Sequence, residues 1–66
     1  MELLIIKTQN QYIRIKNEDY HLVNMDKASV FPMKRYDEVQ AHAQILMEKG
    51  YETVVIKKLV ITEEEI

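Results

Sequence analysis

Residues 36–50 read YDEVQAHAQILMEKG, and this stretch decides the fold. Its acidic residues come first, its lysine comes near the end, and the chain's single glycine, Gly50, closes it. Acidic groups suit the N-terminal end of a helix dipole and basic groups suit the C-terminal end. Glycine readily takes the left-handed conformation that ends a helix. We therefore predict one helix over residues 36–49, which Pro32 prevents from beginning much earlier.

The apolar side chains of this predicted helix form one stripe. With about 3.6 residues per turn, Val39, Ala43, Leu46 and Met47 lie on one face, and Ile45 lies well away from them. The stripe predicts that the helix packs against a sheet with Met47 in the core. Met33, just before the helix, is expected to fill the core in the same way, since methionine adapts to irregular gaps.

Two segments before the helix have the composition of strands, residues 2–7 and 12–16, and two short extended segments follow, residues 20–23 and 28–31, of which the sequence leaves open whether one or both form a strand. The first is an apolar run, and the second alternates, with Ile13 and Ile15 on one side. Such patterns predict an antiparallel hairpin joined by a polar turn over residues 8–11. The fourth segment, which Pro32 stops, is expected to place Val30 or Phe31 under the helix.

The segment after the helix, residues 51–62, reads YETVVIKKLVIT and predicts a long strand because it is rich in β-branched residues. Both of its alternating faces are apolar, and Lys57 and Lys58 interrupt the middle. A single helix cannot cover both faces. The strand must therefore bend or bulge near the lysines, or its second half must pair with another chain.

The complete pattern predicts an α+β fold: a mainly antiparallel sheet of three to four strands with one helix on one face, in the order ββ(β)αβ. Residues 1–62 form the single domain, and residues 63–66 form an acidic tail that we expect to be frayed. A chain of 66 residues builds only a small core. We expect oligomerisation to supplement it.

The composition narrows the functional classes. The net charge is −2, and the chain has no cysteine, which excludes disulfides and thiolate metal sites. No apolar run approaches the roughly 20 residues of a membrane span, and the N-terminus does not fit a signal peptide. We therefore expect a cytoplasmic protein without a membrane partner.

Several short sequences along the chain carry a resemblance. They are LIIK at residues 4–7, YIRI at 12–15, DKASVF at 26–31, EKGY at 48–51 and the apolar strand at 54–61. In this layout of hairpin, helix and final strand, the chain resembles short uncharacterised proteins of phages and prophages of Gram-positive bacteria. The resemblance implies a phage or prophage origin and an accessory role. It carries no functional residue.

No motif in the chain predicts catalysis, a metal or a cofactor. Glu38 and His42 stand one helical turn apart, but a metal site normally needs three or four ligands. Ser29 lacks the Gly-x-Ser-x-Gly surroundings of a nucleophile, and a single glycine cannot build a phosphate-binding loop. We predict a non-enzymatic protein without a small-molecule substrate.

Protein–protein interaction is the leading functional hypothesis, because the pattern leaves apolar side chains beyond those that one core can bury. Ile45 lies off the helix stripe, and Leu59 and Ile61 lie on the second face of the last strand. If these three converge, they form a contiguous apolar patch, which is typical of an interface. A homodimer is the simplest form of such a contact.

The alternative hypothesis is a nucleic-acid-associated regulatory protein. Tyr12, Arg14 and Lys16 share the polar face of a predicted strand. An aromatic ring beside two basic side chains can stack on a base and hold phosphates. The near-neutral charge of residues 1–62, with nine basic and eight acidic residues, favours this hypothesis less than the first.

Overall fold

The computed structural model describes residues 2–62 and residue 65, which contain an antiparallel five-stranded sheet and one α-helix. The strands are β1 Glu2–Thr8, β2 Gln11–Lys16, β3 Asp19–Val23, β4 Phe31–Pro32 and β5 Val55–Val60. The helix, α1, spans Tyr36–Glu48, and short 3-10 turns cover Met25–Lys27 and Met33–Arg35. The α+β class is confirmed, with one strand more than the three to four predicted.

Strand β1 is the centre of the sheet. All but its last residue pairs with β5, from Glu2 opposite Val60 to Lys7 opposite Val55. Its other edge is shared between β2, near Lys7, and the short strand β4, near Leu3. β3 pairs only with β2 and lies at one edge of the sheet. The predicted hairpin of β1 and β2 is therefore confirmed.

Both hairpin turns are tighter than the sequence indicates. Gln9 and Asn10 have φ of 54° and 64°, and Asn17 and Glu18 have φ of 52° and 66°. Two consecutive residues with positive φ are typical of two-residue type I′ turns, whose twist matches that of the strands. The loop predicted over residues 8–11 therefore shortens to two residues.

Ser29 fills the gap where β2 separates from β1. Its backbone N–H donates to the carbonyl of Ile13 at 3.0 Å, and its Oγ accepts from the N–H of Ile15 at 2.9 Å. These bonds satisfy β2 groups that β1 no longer reaches. The strand predicted over residues 28–31 is accordingly wrong for its first part. Pro32 was expected to lie beyond the strand, but it belongs to β4 as its last residue and lies opposite Leu3.

The core lies between α1 and one face of the sheet. Its buried cluster consists of Leu4, Ile6, Ile13, Phe31, Val39 and Leu46. Phe31 is the residue under the helix, whereas Val30 is 48% exposed. Ala43 is also buried, so the central part of the predicted helix stripe is confirmed.

Met47 and Met33 are not core residues, which corrects the sequence prediction. Met47 is 49% exposed, and Met33 is exposed in the turn before α1. Met47 lies on the flank of α1 that faces β5. β5 is an edge strand, so the sheet ends there and no further described strand covers this flank.

Strand β5 is also shorter than predicted. Gly50 has φ of 95° and ends the helix as expected, and the N–H of Tyr51 donates to the carbonyl of Leu46 at 3.1 Å. Residues 51–54 then form a connection held down by the buried Thr8 hydroxyl, which donates to the Glu52 carbonyl. The ladder with β1 runs without interruption past Lys57, so a bulge at the lysines is wrong.

No described helix combines the length and the apolar character needed to cross a bilayer. Residues 63, 64 and 66 of the predicted acidic tail lie outside the described residues. Apart from residue 65, the prediction for the tail lies outside the described residues.

Candidate interaction surfaces

The three predicted interface residues do not form one patch. Ile45 is 40% exposed on α1, which packs on the sheet face that carries Leu4 and Ile6. Leu59 is half-buried and lies opposite Leu3 in the ladder, so alternation places it on the other face. Ile61 is exposed directly after β5. Leu59 and Ile61 are therefore near one edge of the sheet, and Ile45 is on the opposite side of it from Leu59.

A shallow groove runs beside the open edge of β5. It has a volume of about 380 Å³ and lies between α1 and β5, with Tyr36 and Met47 on one wall and Val54 and Ile56 on the other. We call it the edge groove. Along its length no described strand pairs with the outer edge of β5. The groove thus combines exposed apolar side chains with a strand edge that no other described strand pairs with, which is the arrangement that accepts an added strand.

The predicted nucleic-acid residues share one sheet face with two lysines from other strands. Lys7 lies opposite Tyr12 in the ladder, and its Nζ is 5.7 Å from the centroid of the Tyr12 ring. Lys57 lies opposite Ile5, two positions along β1 from Lys7. We call the face formed by Lys7, Tyr12, Arg14, Lys16 and Lys57 the basic face. The sequence did not predict Lys7 or Lys57, because their positions depend on the register between distant segments.

The basic face carries little compensating charge. On the neighbouring strand β3, the acidic residue Asp19 lies opposite Lys16, and the non-acidic residue His21 lies opposite Arg14. The two ion pairs among the described residues, Arg35 with Glu38 and Lys58 with Glu2, lie elsewhere. Four of the nine lysines and arginines of the chain are therefore on one sheet face, and none of the four forms an ion pair with a described carboxylate.

Glu38 and His42, which stand one helical turn apart on α1, each contact a residue elsewhere in the chain. Glu38 contacts Arg35, and His42 Nδ1 forms a hydrogen bond of 2.8 Å with the Tyr20 hydroxyl. The His42 ring also lies 6.0 Å from the ring of Phe31. No group of three histidine, aspartate or glutamate side chains in residues 2–62 and 65 is placed to hold a metal ion. His42 therefore tethers α1 to β3.

The partial burial of Tyr20 predicts how stability changes at alkaline pH. Burial raises the pKa of Tyr20 above the ordinary tyrosine value of about 10. Below that value both the folded and unfolded states hold the proton, so this group adds no pH dependence. Above it the unfolded state ionises first, and the free energy of unfolding falls until the pH passes the pKa of the folded state.

We expect Tyr20→Phe to remove this part of the alkaline fall in stability. Urea unfolding at pH values from about 8 to about 11, monitored by circular dichroism, measures this fall in the free energy of unfolding. Tyr36→Phe, which removes an exposed hydroxyl on α1, is the matched control. An identical pH profile for wild type and Tyr20→Phe would contradict the assignment.

No protein-family model, curated protein or solved structure matches the chain. The resemblance to phage and prophage proteins accordingly stays a prediction. The function has to be argued from the two surfaces, the edge groove and the basic face.

Proposed function

We propose that the chain is a small non-enzymatic binding protein that acts through protein–protein contact, with a second copy of itself as its first partner. The observation that carries the proposal is the open edge of β5 beside the edge groove. There the exposed side chains of Tyr36 and Met47 flank a strand whose outer backbone groups have no described strand partner. A strand added to this edge would satisfy those groups.

The lysines of β5 restrict how two copies can pair. Residues that face each other across antiparallel strands project from the same side of the sheet. When two copies of β5 pair around a two-fold axis, a residue and the residue that faces it must therefore both have even numbers or both have odd numbers. One residue then lies at the axis and faces its own copy. An axis at Lys57 or Lys58 would oppose that lysine to its own copy, and like charges in this position are destabilising. The lysines thus disfavour the central registers, as charged residues on edge strands commonly do.

An axis at Val60 avoids that repulsion. Val60 then faces Val60 of the second copy, and Leu59 faces Ile61 of the second copy on the side of the basic face. Val60 is 58% exposed, the largest exposure of any large apolar side chain among the described residues. This register explains why the end of β5 is apolar on both faces. It also gives Leu59 and Ile61 the interface role that the sequence predicted, and leaves Ile45 outside the contact.

The wider setting belongs to the same proposal. The sequence resemblance favours a phage or prophage accessory protein, and the composition favours a cytoplasmic location. A dimer with an extended sheet is consistent with a core too small to supply much stability by itself.

Single-cysteine variants test the register, because the chain contains no other cysteine. We expect wild type to have the mass of a dimer by light scattering, and Val60→Cys to form a disulfide-linked dimer under mild oxidation. Directly opposed residues have Cα atoms about 4.5–5.5 Å apart, which a disulfide can span.

Ile45→Cys is the matched control, since its cysteine replaces an exposed isoleucine on α1, outside the proposed strand contact. It is expected to stay unlinked under the same oxidation. A monomeric mass for wild type at high concentration would contradict self-association. Equal cross-linking of the two variants in a dimeric protein would contradict the register alone.

A further inference from the structure

We propose that the basic face binds single-stranded nucleic acid. This inference is independent of self-association, because it rests on side chains of the sheet face rather than on the edge groove. Its basis is the meeting of four basic side chains with an aromatic ring, which the strand register produces from three separate segments.

The charge distribution is the first argument. The whole chain has a net charge of −2, yet the basic face has four cations and one facing acid, Asp19. Arg14, Lys16 and Lys57 have no ion pair with a described carboxylate, and Lys7 contacts only the ring of Tyr12. Cations without internal partners are free to neutralise phosphates, and each neutralised phosphate releases counterions.

The aromatic and apolar groups of the same face are the second argument. Tyr12 is half-buried between Lys7 and Val23, its facing residues on the two neighbouring strands. Leu3 continues the face towards its other end. Unstacked bases can lie on such a surface, whereas a duplex keeps its bases stacked inside and presents mainly phosphates. The mixed chemistry therefore favours a single strand.

A polar groove extends the basic face at the turn between β1 and β2. It has a volume of about 460 Å³ and includes Lys7 and Lys57 together with the amide side chains of Gln9 and Asn10. Glu52 is the one acid on its wall. A phosphate held between the two lysines would have neutral hydrogen-bond donors beside it, so the path of a strand would run from Lys16 past Tyr12 to this groove.

Fluorescence anisotropy with a labelled oligothymidine of about 20 nucleotides tests the inference. We expect salt-sensitive binding by wild type. Four phosphate contacts on a single strand predict a slope of log K against log salt near about −3, and Arg14→Ala with Lys16→Ala should reduce it to about half. Tyr12→Ala is expected to weaken binding by about 5-fold or more through lost stacking, and Tyr12→Phe to retain most of it.

Lys34→Ala with Lys49→Ala is the control, because it removes two exposed basic side chains at the ends of α1 and changes the net charge equally. We expect it to preserve the affinity and the slope. Circular dichroism melting verifies that every variant is folded. The inference is overturned by absence of binding at low salt, by an equal loss in the control, or by tighter binding of a duplex of the same length.

Discussion

Val60→Lys is expected to weaken self-association by at least about tenfold, since it replaces the apolar contact at the proposed two-fold axis with two facing lysines. The fold should survive, because Val60 is exposed in the single chain and lies opposite Glu2 in the ladder with β1. A lysine in that position faces a carboxylate of its own sheet. The variant thus separates association from folding.

Sedimentation equilibrium over a range of protein concentrations measures the effect. Ile45→Lys is the matched control, because it introduces the same charge in place of a similarly exposed isoleucine on α1. Unchanged dissociation constants for Val60→Lys would contradict the register. Dissociation by Ile45→Lys would instead move the interface to the solvent side of the helix.

Leu46→Ala is expected to lower the free energy of unfolding by about 3–5 kcal/mol. Leu46 has 0% exposure and belongs to the buried cluster between α1 and the sheet. Alanine loses the burial of the removed carbons and leaves a cavity that a close-packed core fills poorly. The net stability of a domain of this size is itself only a few kcal/mol, so the variant should be largely unfolded at room temperature.

Met47→Ala is a sharp comparison, since it shortens the next side chain on the same helix. Met47 is half exposed in the edge groove, so we expect a loss of less than about 1 kcal/mol in the monomer. Urea unfolding followed by circular dichroism measures both variants. Similar losses for the two would mean that a second protein chain covers the groove, which the register at Val60 does not do, and dilution would then distinguish that case.

The sequence predicted most of the elements because their signals are local. Alternation in residues 12–16, the acidic start of α1 and Gly50 at its end are readable without knowing the partners of each segment. The contacts that bind these elements together were not readable. The Tyr20 hydroxyl and His42 are 22 residues apart, and Ser29 reaches the backbone of β2 across 14 residues. In both contacts, the local sequence around one partner gives no sign of the other partner.

The candidate surfaces divide in the same way. Tyr12, Arg14 and Lys16 were predicted together because alternation within one strand places them on one face. Lys7 and Lys57 joined them only through the register of β1 with its two neighbours. The position of Ile45 relative to Leu59 likewise depended on the sheet face to which the helix docks.

The sequence by itself determined the α+β class, the hairpin and the position of the helix. Each follows from propensities and periodicities that act over a few residues. Only the tertiary structure decided that Met47 is exposed, that β5 is an open edge and that four basic side chains meet on one face. Burial and charge density depend on which distant elements lie side by side. That depends on strand pairing and helix docking, which local sequence does not specify.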